Sequence, residues 1–124
     1  YDEARVAIVP MGFCFPGQDA KGGDLPPRRE CAARWHGDLF AALPQVALIL
    51  AVGVYAQAFH LGAARGKTLQ ETMLNWRAYL ATARTPRVFP LPHPSWRNNA
   101  WLKKNPWFDA DLLPALRREV GKVV

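Results

Sequence analysis

Cysteine is scarce: Cys14 and Cys31 are the two thiols in 124 residues. Two thiols cannot build the disulfide framework on which small secreted domains depend. Long apolar runs are missing too. The longest, Val46 to Tyr55, falls far short of the ~20 residues that span a bilayer, so no membrane segment is expected. The start, Tyr-Asp-Glu-Ala-Arg, has no initiator methionine and no basic-then-apolar signal region, which with the cysteine count points to the cytoplasm. No P-loop, dinucleotide glycine fingerprint, Gly-x-Ser-x-Gly elbow or His-Glu-x-x-His occurs. Internal repeats and low-complexity stretches are absent as well. Acidic residues run short in one region. Between 65 and 104, Glu71 stands alone against Arg65, Lys67, Arg77, Arg84, Arg87, Arg97, Lys103 and Lys104.

What is present is globular in composition, 50% hydrophobic and 21% charged, which excludes a disordered tail. A chain of this size buries roughly two-thirds of its unfolded surface, enough for one core, and a single domain over 1–124 is expected. Sixteen Lys and Arg against ten Asp and Glu leave a net charge of +6. A basic surplus of this kind attracts polyanions and makes their binding salt-dependent. A plain solvated basic surface accounts for the same count.

The order of elements follows from patterning. Arg5 to Pro10 is a β-branched run closed by proline, a predicted strand. Met11 to Pro27 holds four Gly and three Pro and reads as a long irregular loop, a kind usually functional or mobile. Pro27 to Leu43 predicts a helix with Cys31, Trp35, Leu39 and Leu43 on one stripe, stopped by Pro44. Val46 to Val52 is uniformly apolar, as in a strand buried on both faces of a parallel sheet. Val54 to Leu61 predicts a helix behind it. Thr68-Leu-Gln-Glu71 resembles a capping box opening a helix through Leu80, with Leu69, Met73, Trp76 and Leu80 on one side. Arg87 to Leu91 is a third strand and Pro92 to Asn98 a loop beyond it. A last helix runs from Asp109 or Asp111 to about Val120. Alternating strands and helices give the α/β class with a largely parallel sheet.

Ligands of open parallel sheets bind beyond the C-terminal strand ends. Three such ends are available: Pro10-Met-Gly-Phe-Cys14, Gly53-Val-Tyr-Ala, and Leu91-Pro-His-Pro-Ser-Trp-Arg-Asn98. In the last, His93 between two prolines has a stiff backbone and can donate to charge developing on a substrate oxygen. Ser95 and the loop amides can hold a phosphate, with Arg97 neutralising it, and Trp96 can wedge or stack against bases. A proline-rich turn whose histidine only bonds to backbone accounts for the same residues. Cys14 and Cys31 do not complete a metal or cluster site, which needs four ligands, and two buried apolar cysteines are the plain alternative. His36 and His60 fall on predicted helices and read as surface or core residues. Trp101, Trp107 and Phe108 read as packing for the last helix rather than as a base-stacking platform.

The ordered set of Cys14, the Pro/Gly loop, Pro26-Pro27-Arg-Arg-Glu-Cys31, Leu43-Pro44, the apolar strand to Gly53 and Ala56, and His93-Pro94-Ser95 resembles the uracil-DNA glycosylase superfamily. Among its branches the set is closest to bacterial and archaeal members carrying a [4Fe–4S] cluster. Arg97-Asn98 and Asn105-Pro106-Trp107-Phe108 resemble a bacterial branch of it. The resemblance implies a three-layer α/β/α domain that flips a deaminated base from DNA and hydrolyses its glycosidic bond. It makes His93 the group that stabilises charge on the departing base. Pro94 and Ser95 would compress the DNA backbone, with Trp96, Arg97 and Asn98 also on DNA. Met11 and Gly12 fall to the base pocket. Cys14 and Cys31 become two of four cluster ligands, the other two being a Cys-x-x-Cys pair in an N-terminal segment.

The departures are specific. The family's first motif, a Gly-rich loop positioning the attacking water, is not in the chain. Pro10 stands where cluster-bearing relatives place a uracil-reading asparagine. The expectation is therefore the C-terminal two-thirds of a monomeric glycosylase-like protein, N-terminally incomplete and inactive as a fragment, held at the nucleoid through DNA. A non-catalytic nucleic-acid binder on the same fold is the second reading, and an unrelated α/β domain with a basic surface the third.

Overall fold

The computed structural model describes residues 2–124, which form two compact units divided after Gln45.

In the first unit the expected strand at 5–10 is not formed. These residues make no ladder among the described residues, and Ile8 is 78% exposed. β-Branched residues favour extension, but a strand exists only when a neighbour takes its N–H and C=O groups. The Pro/Gly segment is irregular, as expected, yet pinned. Asp19 Oδ1 accepts from the amides of Lys21 at 2.8 Å and Gly23 at 2.9 Å, while Leu25 N donates to the Gly17 carbonyl. This Asx-type bonding fixes a turn without a sheet. Helix α1 follows over Arg29–Ala41. Its buried face is Ala32 and His36, one position round from the expected Cys31–Trp35 stripe, and Trp35 is 51% exposed. The reason is polar. His36 donates from Nε2 to the Pro10 carbonyl at 3.0 Å and lies between the rings of Phe13 and Phe40, so a histidine with a bonded nitrogen takes the inner position.

The second unit carries the sheet. Strands β1 (Leu48–Val52) and β2 (Arg87–Leu91) pair in parallel, from Leu48 opposite Arg87 to Val52 opposite Leu91. The crossover holds α2 (Gly53–Leu61), α3 (Leu69–Leu74) and α4 (Trp76–Leu80). The α/β class therefore stands, with two strands among the described residues where the sequence predicts three. Side chains of β2 alternate between two clusters, as strand pleating requires. Phe89 packs with Met73, Trp76, Leu112 and Ala115, and Val88 with Ala51, Leu61 and Tyr79. Trp76 stacks on Phe89 with centroids 5.6 Å apart, and burying a side chain of this size contributes about 1.5–3 kcal/mol. β1 departs from its expected burial on both faces: Leu50 and Val52 are each 40% exposed.

The predicted helix 68–80 breaks at Asn75. Thr72 Oγ1 donates back to the Thr68 carbonyl at 3.0 Å, a bond that competes with helix propagation. Its start matches the capping pattern in part. Thr68 Oγ1 accepts from Glu71 N at 3.1 Å, but the Glu71 carboxylate accepts from Lys67 N at 2.6 Å, one residue earlier than a capping box places it. All four expected core residues, Leu69, Met73, Trp76 and Leu80, join the Phe89 cluster.

Beyond β2, helix α5 covers Asn99–Lys104. The last helix begins as a π-type turn, Phe108–Leu112, and becomes α6 over Leu113–Gly121. The joint between them is the buried Asn105. Its Oδ1 accepts from Gln70 Nε2 at 2.9 Å and Trp107 Nε1 at 3.0 Å, and its Nδ2 donates to the Trp101 carbonyl at 2.8 Å. Trp101 meets Trp107 and Phe108 edge to face, so these aromatics pack the fold, as the sequence reading has it. No helix among the described residues is long and apolar enough to cross a membrane.

Candidate active site

The site is built where β1 and β2 end side by side. The parallel register sets Val52 against Leu91, so the next residues, Gly53 and the Pro92-His93-Pro94 segment, leave the sheet together. Gly53 has φ +83°, a left-handed conformation natural to glycine. It lets α2 begin directly at the strand end. A methyl carbon placed on Gly53 would lie 3.4 Å from His93 Cβ and 3.5 Å from Cδ2, so the imidazole rests against the bare glycine backbone.

The loop carrying His93 is braced from within. The His93 carbonyl accepts from Ser95 N at 2.8 Å and from Asn98 Nδ2 at 2.6 Å, and Asn98 N donates to the Ser95 carbonyl. Asn98 thus spends its side-chain amide on its own loop, and Ser95 its backbone amide. The loop's outer edge is different. Trp96 is 76% exposed, and the Arg97 guanidinium carbon sits 5.7 Å from its ring centroid. A cleft of about 480 Å³ opens beside them, its lining including His93, Ser95, Trp96, Leu102 and Phe108.

The basic surplus divides into two groups. Arg87 is tied to Glu119 at 2.6 Å, Arg77 pairs with Asp111 at 3.6 Å, and Arg84 donates to the His60 carbonyl. Arg65, Lys67, Arg97, Lys103 and Lys104 are exposed and make no ion pair among the described residues. Glu119 is a buried carboxylate held below its ordinary range by hydrogen bonds from Lys122 and then Arg87, against the opposing effect of burial. It belongs to the fold rather than to the site.

In the first unit, Met11 and Gly12 are half-buried, with Gly12 close against Pro27. Cys14 is exposed and Cys31 half-buried, both as free thiols, so they are not the pair of buried apolar cysteines that composition alone allows. No group of three or more His, Cys, Asp or Glu gathers as a metal site among the described residues. Two thiols do not supply the four ligands of a [4Fe–4S] cluster, so these residues do not hold one by themselves.

Sequence reasoning singled out His93 and its loop but missed Gln57. That residue is buried on α2 and donates from Nε2 to the Leu91 carbonyl at 2.7 Å. A lone amide in the otherwise apolar run Val54 to Phe59 was the available signal, since such a group is buried only with a partner.

The resemblance carried by the sequence points to one known group. Its family model, described as the uracil DNA glycosylase superfamily, matches residues 2–117, and the chain belongs to that superfamily.

Proposed function

We propose that the full protein, with this chain as one glycosylase-like domain, takes a deaminated base such as uracil out of DNA and hydrolyses its N-glycosidic bond. The observation that supports this reading is the placement of His93, exposed at the paired strand ends on a stiff, internally braced loop. As the C1′–N bond breaks, negative charge grows on the base and positive character on the sugar. Water adds to the sugar carbon, and the base leaves. An imidazole N–H fixed beside the base oxygen stabilises the growing charge without reorganising. Pro94 and Ser95 press on the backbone, Arg97 neutralises a phosphate, and Trp96 fills the space of the flipped nucleotide. Met11 and Gly12 contribute to the base pocket. Cys14 and Cys31 are two of four ligands to a [4Fe–4S] cluster with a structural role, the other thiolates coming from outside these residues. The protein works as a monomer in the cytoplasm.

One observation favours a second reading, a non-catalytic DNA binder. Pro10 has no side-chain group to read a base edge, and its carbonyl is taken by His36. Incision of oligonucleotides containing uracil, hypoxanthine or xanthine by the full protein separates the two. Cleavage lost in His93→Ala supports the enzyme, whereas tight binding with no cleavage of any of the three establishes the binder. Iron and sulfide content after anaerobic purification decides the cluster.

A further inference from the structure

Resting on that reading of His93, we infer that Gln57 is its positioning residue. Gln57 lies on α2 one turn beyond Gly53 and is 1% exposed. Its Nε2 donates to the Leu91 carbonyl at 2.7 Å, with the Met73 sulfur 3.9 Å away. Leu91 is the last residue of β2 and the last rung of the ladder with Val52. Past it no strand neighbour among the described residues orients the chain, and the Gln57 amide takes over that task.

The orientation reaches His93 across a short stretch stiffened by two prolines. Pro92, the one intervening residue, has a fixed φ, and Pro94 restricts the backbone of His93 itself. Fixing the Leu91 carbonyl therefore narrows the range of directions in which His93 leaves the sheet. The same helix meets His93 a second time, since Gly53 at its first position lies against the ring. Helix α2 thus acts on this segment twice, through Gly53 against the ring and through Gln57 on the Leu91 carbonyl. An apolar residue of equal size would fill the space at 57 but leave the Leu91 carbonyl without its donor.

The test uses the full protein on a cleavable duplex. Gln57→Met keeps the volume and removes the donor, and Gln57→Asn keeps the amide but is one methylene too short. Misplacing a catalytic group by about 1 Å costs on the order of a hundredfold, so Gln57→Met should slow single-turnover cleavage about 10- to 100-fold. Duplex affinity should hold within about twofold, and the His93 ring resonances should shift. On a His93→Ala background the same change should cost nothing further, because both remove one function.

An equal loss on that background would show that Gln57 acts elsewhere and would overturn the inference, as would a folded variant with native rate and unmoved His93 signals. If His93→Ala itself cleaves at the native rate, the reading of His93 fails instead, and the ring resonances still decide whether Gln57 places it. Should Gln57→Met not fold, Gln57→Asn carries the same comparisons.

Discussion

His93 lies against the backbone of Gly53 at the ends of the two paired strands, where a methyl carbon on Gly53 would meet the histidine Cβ at 3.4 Å and Cδ2 at 3.5 Å, in ordinary van der Waals contact. Gly53 is held at φ +83°, where an L-residue pays about 1–2 kcal/mol. Gly53→Ala therefore strains the backbone and sets a methyl in contact with the imidazole. Its melting temperature should fall by roughly 4–8 °C, and the His93 ring signals should move in NMR spectra. Gly37, in α1 with open space around it, is the control. Gly37→Ala should raise stability by about 0.5–1 kcal/mol. Equal behaviour of the two variants would contradict the packing described.

Glu119 sets a pH dependence. The hydrogen bond from Lys122 and then that from Arg87 hold its carboxyl below the ordinary value of 4.5. The folded protein thus binds fewer protons at this site than the unfolded chain. The resulting stability is fully present above pH 4.5 and is lost as pH falls through the lower, folded value. Urea midpoints should drop in that acid range for the native protein and less steeply for Glu119→Gln. At neutral pH the variant should be weaker by about 1.5–3 kcal/mol, the worth of hydrogen bonds to a charged group. Parallel pH profiles for the two proteins would remove Glu119 from this role.

Much of the fold was legible because its signals are local. The run Arg87 to Leu91 became β2 without a change of boundary, and Leu69, Met73, Trp76 and Leu80 became core because helical spacing alone places them together. The errors came from partners that sequence does not display. Arg5 to Pro10 has the composition of a strand but forms no ladder among the described residues. The face of α1 turned on the bond between His36 and the Pro10 carbonyl, 26 residues apart. At the candidate site, the prolines flanking His93 announced a stiff loop. Neither Gln57 reaching Leu91 nor Asn98 turning inward to the His93 carbonyl carries a local signature of its target. Charge counting erred in the same way: Arg87 looked like part of a basic surface and is the partner of a buried carboxylate.

That distinction among arginines predicts different salt behaviour. Each phosphate neutralised on duplex DNA contributes about −0.9 to the slope of log affinity against log salt. Arg97 is exposed beside Trp96 and makes no ion pair among the described residues, so Arg97→Ala should flatten the slope by about one while leaving the melt unchanged. Arg87→Ala should do the reverse, lowering stability through Glu119 and leaving the slope alone. Equilibrium titrations at several salt concentrations check both, and salt-insensitive binding would be incompatible with phosphate contact in this region.

The most demanding prediction concerns His93→Ala. The loop keeps its internal bonds without the imidazole, because Ser95 N and Asn98 Nδ2 bond to the backbone carbonyl at 93 and not to the ring. Gly53 loses only a packing neighbour. The variant should therefore fold, melt near the native temperature and keep most of its DNA affinity through Arg97 and the other exposed cations. What it lacks is the donor at the departing base. Removing one preorganised donor of this kind typically costs about 10²–10³ in rate, or roughly 3–4 kcal/mol. Single-turnover cleavage by the full protein should accordingly slow by at least about a hundredfold at saturating enzyme, with the loss in the chemical step rather than in binding. A turn residue would behave in the opposite way, lowering stability while the folded fraction cleaved at the native rate. Melts and single-turnover rates on the same preparation tell these apart, and a folded variant cleaving normally would take His93 out of the mechanism.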